Sequence, residues 1–201
     1  LTVFAKDIAD IITITPAGRF SLSITGEFAD GLGREDLEQN LAVRAAKLFC
    51  DVTKTPLSFS LHLEKNIPMG AGLGGGSADA AAVIHALEDL YAISLPDRTR
   101  HLLSLGADVP VCYHGSPCRF EGVGDVISAI PFLPSMHILL VWPHHHSPTR
   151  DVFARRDSRF TKPVEIPERI ETGADLIRFL RLTGNDLAPA AKLLSPVIRE
   201  A

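Results

Sequence analysis

The stretch IPMGAGLGGGSADAAA, residues 67–82, decides how this chain is read. Five glycines, Gly70, Gly72, Gly74, Gly75 and Gly76, follow Pro68 and run into alanines. Glycine costs roughly 0.5–1 kcal/mol against alanine in regular structure, so such a cluster does something side chains would obstruct. Two uses fit: a tight turn with no ligand, or a backbone brought close to a bound group. The preceding segment, PLSFSLHLEK (56–65), alternates Leu57, Phe59, Leu61 and Leu63 with Ser58, Ser60, His62 and Glu64. That period of two predicts a strand with one buried and one wet face. The following segment predicts a helix from Ser77 to Tyr91 with Ala80, Ile84, Leu87 and Tyr91 as its stripe.

The glycines therefore join a strand end to a helix start, where three phosphate-loop chemistries compete. Walker A requires a lysine just after the last glycine, and Gly76-Ser77-Ala78 has none. Gly70, Gly72 and Gly75 satisfy GxGxxG. A Rossmann loop, however, leaves a continuously apolar strand, and an acidic strand end follows about 20 residues on. Here the strand alternates, and a helix occupies the later place. The third chemistry is a lysine-free cradle at a helix N-terminus. The first helical N–H groups lack internal partners, the helix end carries about half a positive charge, and glycines admit a polyphosphate. Ser77 would offer its hydroxyl to a phosphate oxygen or Mg²⁺.

Further out, IITITP (11–16) and RFSLSITGEF (19–28) read as strands with a turn at Ala17-Gly18, before a polar, turn-rich segment to Asn40. NLAVRAAKLFCDVT (40–53) reads as a helix capped by Asn40. A second helix starts at Pro96-Asp97 and ends at Gly106. PVCYHG (110–115) and CRFEGVGDVISAI (118–130) read as short strands, and MHILLVWP (136–143) as a buried strand. Residues 144–170 read as a long loop or lid, and residues 173–194 as helices broken at Gly184-Asn185. The prolines of Pro131-Phe132-Leu133-Pro134 suggest a boundary, giving domains 1–133 and 134–201; one continuous domain with a proline-bearing loop is the alternative.

The 201 residues are 46% hydrophobic and 22% charged, an ordinary globular composition. A formal net charge of -4 provides no broad attraction for nucleic acid or anionic membrane, so phosphate chemistry must be local. Neither nucleic acid nor a membrane is the expected partner. Lys6, Asp7 and Asp10 interrupt the apolar start, which is neither a signal core nor a membrane span. Cys50, Cys112 and Cys118 lack metal or redox spacing, which fits a reducing, cytoplasmic setting. His144, His145 and His146 are adjacent, without the spacing of a helical metal site, and read as a solvated loop.

The residues PMGAGLGGGSADAAA (68–82) resemble the second motif of the GHMP small-molecule kinases. The glycine triplet followed by Ser-x-Asp-Ala-Ala resembles, more narrowly, the branch acting on a cytidine diphosphate-linked methylerythritol in non-mevalonate isoprenoid synthesis. NLAVRAA (40–46), LGADVPVC (105–112) and FEGVGD (120–125) extend the resemblance over nearly the whole chain. It implies an α+β, two-domain fold: an N-terminal ATP-binding domain with a mixed sheet, then part of a C-terminal α+β domain. It also implies ATP and Mg²⁺, with the phosphates cradled by Pro68, Met69, Gly70, Ala71, Gly72, Leu73, Gly74, Gly75, Gly76, Ser77 and Ala78. Asn40 and Lys65 would line the adenine pocket; from the residues alone they are equally a helix cap and a solvated strand-end charge. Thr149 and Phe153 would face the substrate, Phe153 stacking on cytosine, with a core phenylalanine as the alternative. Asp108 would act on the attacking hydroxyl; read alone, it is as well a turn aspartate bonding its own backbone. The family's N-terminal lysine motif and later glycine-rich motif do not occur here, and Lys6 in FAKDIAD stands in a different context. The chain is therefore expected to be an interior piece of such a kinase, inactive by itself. The rivals are another GHMP kinase, a non-catalytic nucleotide-binding module and a Rossmann oxidoreductase.

Overall fold

The computed structural model describes residues 2–31, 38–130, 133–145, 149–157, 159–162, 164–167 and 169–199. Strands β1 (Ile11–Pro16), β2 (Ser21–Thr25) and β3 (Phe59–Glu64) form one sheet in the order β1-β3-β2. The period-two pattern is realised in β3, which buries Phe59, Leu61 and Leu63 completely. It runs antiparallel to β1, with Ile11 opposite Glu64, and parallel to β2, with Ser21 opposite Ser60. β1 and β2, although joined by the turn at Ala17-Gly18, are separated by β3. The parallel β2–β3 pair is connected through helix α1 (Leu41–Thr53), as parallel strands require a crossover. The result is a mixed sheet in an α+β fold.

Asn40 caps α1, its Oδ1 accepting the Ala42 N–H at 2.9 Å. α1 buries Ala42, Ala45, Ala46 and Phe49, and α2 (Gly75–Tyr91) buries Ala80, Ala81, Val83, Ile84 and Leu87. Small side chains on both helices keep the Cβ surfaces low, so the two pack together over the sheet. α3 (Arg98–Leu105) adds Leu102 and Leu105 and ends at Gly106.

Three sequence expectations fail, the first being that residues 144–170 are loop throughout, since Thr149–Ala154 is a helix. PVCYHG is not a strand but helix α4 (Val109–His114), with Pro110 in its first turn, where the missing N–H costs no helical bond. Residues 136–143 form no strand, and Ile138, Leu139, Leu140 and Val141 are exposed. Apolarity alone does not make a strand without a hydrogen-bonding neighbour. Among the described residues, all five strands lie between Ile11 and Ala129. The last two, β4 (Cys118–Glu121) and β5 (Val126–Ala129), form the antiparallel hairpin expected of CRFEGVGDVISAI.

The chain divides into two units, Leu1–Met69 with Leu73–Ala129, and Gly70–Gly72 with Ile130–Ala201. Pro131 and Phe132, at the boundary read from the sequence, lie outside the described residues. The second unit carries α5 (Thr149–Ala154), α6 (Gly173–Leu182) and α7 (Ala188–Leu194). Its core is Ile170, Leu176 and Phe179, packed by Leu133, Met136, Val164 and Ile166. A reciprocal capping box between Thr172 and Asp175 starts α6. No helix among the described residues is long and apolar enough to cross a membrane.

Candidate functional site

The backbone from Gly70 to Gly74 alternates in φ. Gly70, Gly72 and Gly74 stand at +68°, +72° and +72°, while Ala71 and Leu73 are not in the positive region. Such alternation turns successive N–H groups toward one side, a concave anion-binding arrangement. A Cβ at Gly72 or Gly74 would meet nothing within 4 Å, so the backbone conformation, not crowding, selects glycine there. Gly74 caps α2 without a side chain, and the first helical bond is Ala78 N–H to Gly74 C=O at 2.9 Å. The N–H groups of Gly75, Gly76 and Ser77 therefore lack helical acceptors. Ser77 is half-buried, and among the described residues no hydrogen bond engages its hydroxyl. α2 has no acidic residue in its first turn. Together these features form an uncovered helix N-terminus suited to phosphate.

The segments flanking the loop in sequence, together with Asp10, carry a buried charge cluster. The Lys65 ammonium donates to Asp10 Oδ2, and to Asp79 Oδ2 at 2.9 Å. Asp10 Oδ1 also accepts the N–H groups of Asn66 and Ile67 at 2.6 and 2.8 Å. Lys65 is only 4% exposed, which excludes the solvated strand-end charge. Burial pushes the Asp79 carboxyl up to about 7, opposed by the Lys65 charge and reinforced by Asp10. With one ammonium for two carboxylates, the cluster is charge-balanced when Asp79 is protonated. Asp10 and Asp79 escaped the sequence reading, yet a signal existed. Lys65 continues the inward parity of Leu57 to Leu63, and Asp79 lies on the buried stripe of α2. A lysine on a buried face needs a buried acid.

Asp108 immediately precedes α4 in a right-handed conformation, φ -87° and ψ -12°. Its carboxylate is exposed, and among the described residues no side-chain hydrogen bond or ion pair engages it. The turn aspartate bonding its own backbone is thus not what the structure contains. α4 is anchored at its other end. The Tyr113 hydroxyl donates to Glu88 Oε2 at 2.6 Å, the His85 ring stacks on Tyr113 at 3.9 Å, and the Arg98 guanidinium lies 4.9 Å over the Tyr113 ring. Burial would raise the Glu88 carboxyl. Hydrogen bonds from Tyr113 and the Leu95 N–H, with the Arg98 charge, hold it below its ordinary value. On the other side, Gly124 approaches so closely that a Cβ would lie 2.1 Å from the Ala107 carbonyl oxygen. Cys112, one turn along, is pushed up to about 11 by burial and by the negative charges of Asp108 and Asp79, so it is no nucleophile.

The remaining candidates are less informative. Asn40 is the cap of α1. Pro68 is half-buried; Met69 and Leu73 are exposed at the loop. Thr149 and Phe153 lie on α5, where only Val152 is buried; Phe153 is 57% exposed, so it is not a core phenylalanine. His144 and His145 are exposed, and His146 lies outside the described residues. No group of three His, Cys, Asp or Glu among the described residues could hold a metal ion.

Comparison with known proteins is consistent across sequence and structure. The profile of the GHMP kinases N terminal domain matches residues 40–131. The 4-diphosphocytidyl-2-C-methyl-D-erythritol kinase of Paramagnetospirillum magneticum is 38% identical over 204 residues, covering 100% of this chain and 70% of the relative. That of Paracoccus denitrificans is 42% identical over 203 residues, covering 100% of this chain and 67% of the relative. A crystal structure of 4-(cytidine 5'-diphospho)-2C-methyl-D-erythritol kinase superposes with a TM-score of 0.63 at 29% identity, over 96% of this chain and 68% of that one. With identity of this order sustained along the whole chain, and the same fold in the solved kinase, the chain belongs to the 4-diphosphocytidyl-2-C-methyl-D-erythritol kinase family of the GHMP kinases.

Proposed function

We propose that the protein transfers the γ-phosphoryl group of ATP to a hydroxyl of 4-diphosphocytidyl-2-C-methyl-D-erythritol, a step of non-mevalonate isoprenoid precursor synthesis. The observation that carries this reading is the uncovered N-terminus of α2 behind a loop of alternating φ, together with the unengaged Asp108. Phosphoryl transfer depends mainly on positioning and charge stabilisation. The N–H groups of residues 70–77 bind the polyphosphate without a lysine. Asp108 orients the substrate hydroxyl and accepts its proton as the bond to phosphorus forms. Thr149 and Phe153 contact the cytidine side of the substrate, and Asn40 the adenine side. Ser77 would offer its hydroxyl to a bound magnesium ion, which would supply positive charge against the phosphates. Three free thiols support a cytoplasmic setting. The test is a substrate panel with the full-length protein and ATP: 4-diphosphocytidyl-2-C-methyl-D-erythritol against homoserine and mevalonate. Phosphorylation of the cytidyl compound alone supports the proposal. Preference for another panel member refutes it in favour of another GHMP activity, and ATP binding without transfer to any refutes it in favour of a binding module.

A further inference from the structure

We propose that Asp10, Lys65 and Asp79 are positioning residues for ATP, clamping both ends of the phosphate loop; this rests on the phosphate-loop reading above. The loop cannot order itself through side chains. A Cβ at Gly72 or Gly74 would meet nothing within 4 Å, and glycine has the largest backbone freedom to lose. Order has to come from where the loop is attached.

The cluster occupies those attachments. Lys65 is the residue after β3 and Asp79 is the fifth residue of α2, so their contact at 2.9 Å ties the strand end to the helix start across the whole glycine run. Asp10, one residue before β1, adds a second tie. Its Oδ1 accepts the N–H groups of Asn66 and Ile67, which lead into the loop, at 2.6 and 2.8 Å. Its Oδ2 lies 3.3 Å from where a side chain at Gly75 would begin, at the loop's exit. One carboxylate thus holds the entry by hydrogen bonds and lies beside the exit. The Lys65 ammonium has a second effect: it offsets carboxylate charge near a helix end that is to receive an anion. None of the three needs to touch ATP; each acts through the loop backbone.

The experiment is equilibrium binding of MgATP to the full-length protein and to Asp10→Asn, Asp79→Ala and Asp79→Asn, with amide hydrogen exchange followed in the loop and in α1. The wild type is expected to bind. Asp10→Asn and Asp79→Ala are expected to weaken binding by about tenfold or more, the equivalent of one charge-assisted hydrogen bond. Loop amides should exchange faster while those of α1 stay protected. Asp79→Asn keeps an oxygen for Lys65 and should recover most of the affinity lost in Asp79→Ala. Wild-type affinity and loop protection in Asp10→Asn and Asp79→Ala would overturn the inference. So would loss of protection in α1 to the same degree as in the loop, which marks general destabilisation. A wild-type protein that binds no MgATP would overturn the phosphate-loop reading itself, and the clamp with it.

Discussion

Gly124→Ala should damage both folding and transfer, because Gly124 is pressed against the residue before Asp108. At φ +92° its backbone lies where an L side chain is strained, at a cost of about 1–2 kcal/mol. The new Cβ would also lie 2.1 Å from the Ala107 carbonyl oxygen and 3.1 Å from its carbon, where ordinary contact begins at 3.4 Å. The obstacle is backbone, so no rotamer relieves it. Overpacking of this kind costs about 1–3 kcal/mol, for a total of about 2–5 kcal/mol. Relief requires Ala107, and Asp108 with it, to shift by about 1 Å, and a misplacement of that size costs about 10²-fold in rate. The assay pairs urea unfolding with kcat measured well below the melting temperature, in the full-length protein. Gly18→Ala is the control: nothing lies within 4 Å of its added Cβ, and its change should stay within about 0.5 kcal/mol. A Gly124→Ala protein with wild-type stability and kcat would refute the reasoning that FEGVGD holds Asp108 in place.

Three further outcomes follow from the geometry. The Asp79 carboxyl is held near 7 in the folded protein, against an ordinary value of 3.8. The native state therefore binds the proton more tightly. The stability this group contributes is fully present below about pH 4 and is lost as pH rises through about 7. The melting temperature of the wild type relative to Asp79→Asn should fall from about pH 5 to about pH 8; a rise would contradict the assignment. Thr172→Ala removes the capping box of α6 and should cost about 1 kcal/mol, read as faster amide exchange in the first turn of that helix. Tyr113→Phe removes the 2.6 Å hydrogen bond to Glu88 and should cost about 1.5–3 kcal/mol in urea unfolding, while leaving the His85 stack in place.

Strand β3, the capped helix α1 and the glycine-opened α2 were legible because periodicity, cap and glycine chemistry agree with the tertiary arrangement. The alternation of Leu57 to Leu63 gave the buried face of β3, and Asn40 caps as its residue type suggests. The failures share a different cause. Residues 136–143 are apolar enough for a buried strand, but pairing depends on a neighbour that no local pattern reveals. PVCYHG looks β-like in composition, yet Pro110 is also suited to a helix's first turn, and Glu88 and Arg98 hold Tyr113 from two other helices. At the site, the glycine loop stood out by local chemistry, whereas Asp108 was singled out only by the resemblance carried by LGADVPVC. The Asp10 and Asp79 partners of Lys65 did not stand out, since 55 and 14 residues separate them from it. The inward parity of Lys65 and the place of Asp79 on the buried face of α2 were the hints of a buried charge.

The most direct test of the account is ATP-dependent phosphorylation of 4-diphosphocytidyl-2-C-methyl-D-erythritol by the full-length protein, beside its Asp108→Asn variant. The account predicts transfer by the wild type and a loss of at least about 10²-fold in kcat in the variant, with ATP binding retained. An Asp108→Asn protein that turns over at the wild-type rate, or a wild type that binds ATP but leaves this substrate untouched, would contradict it.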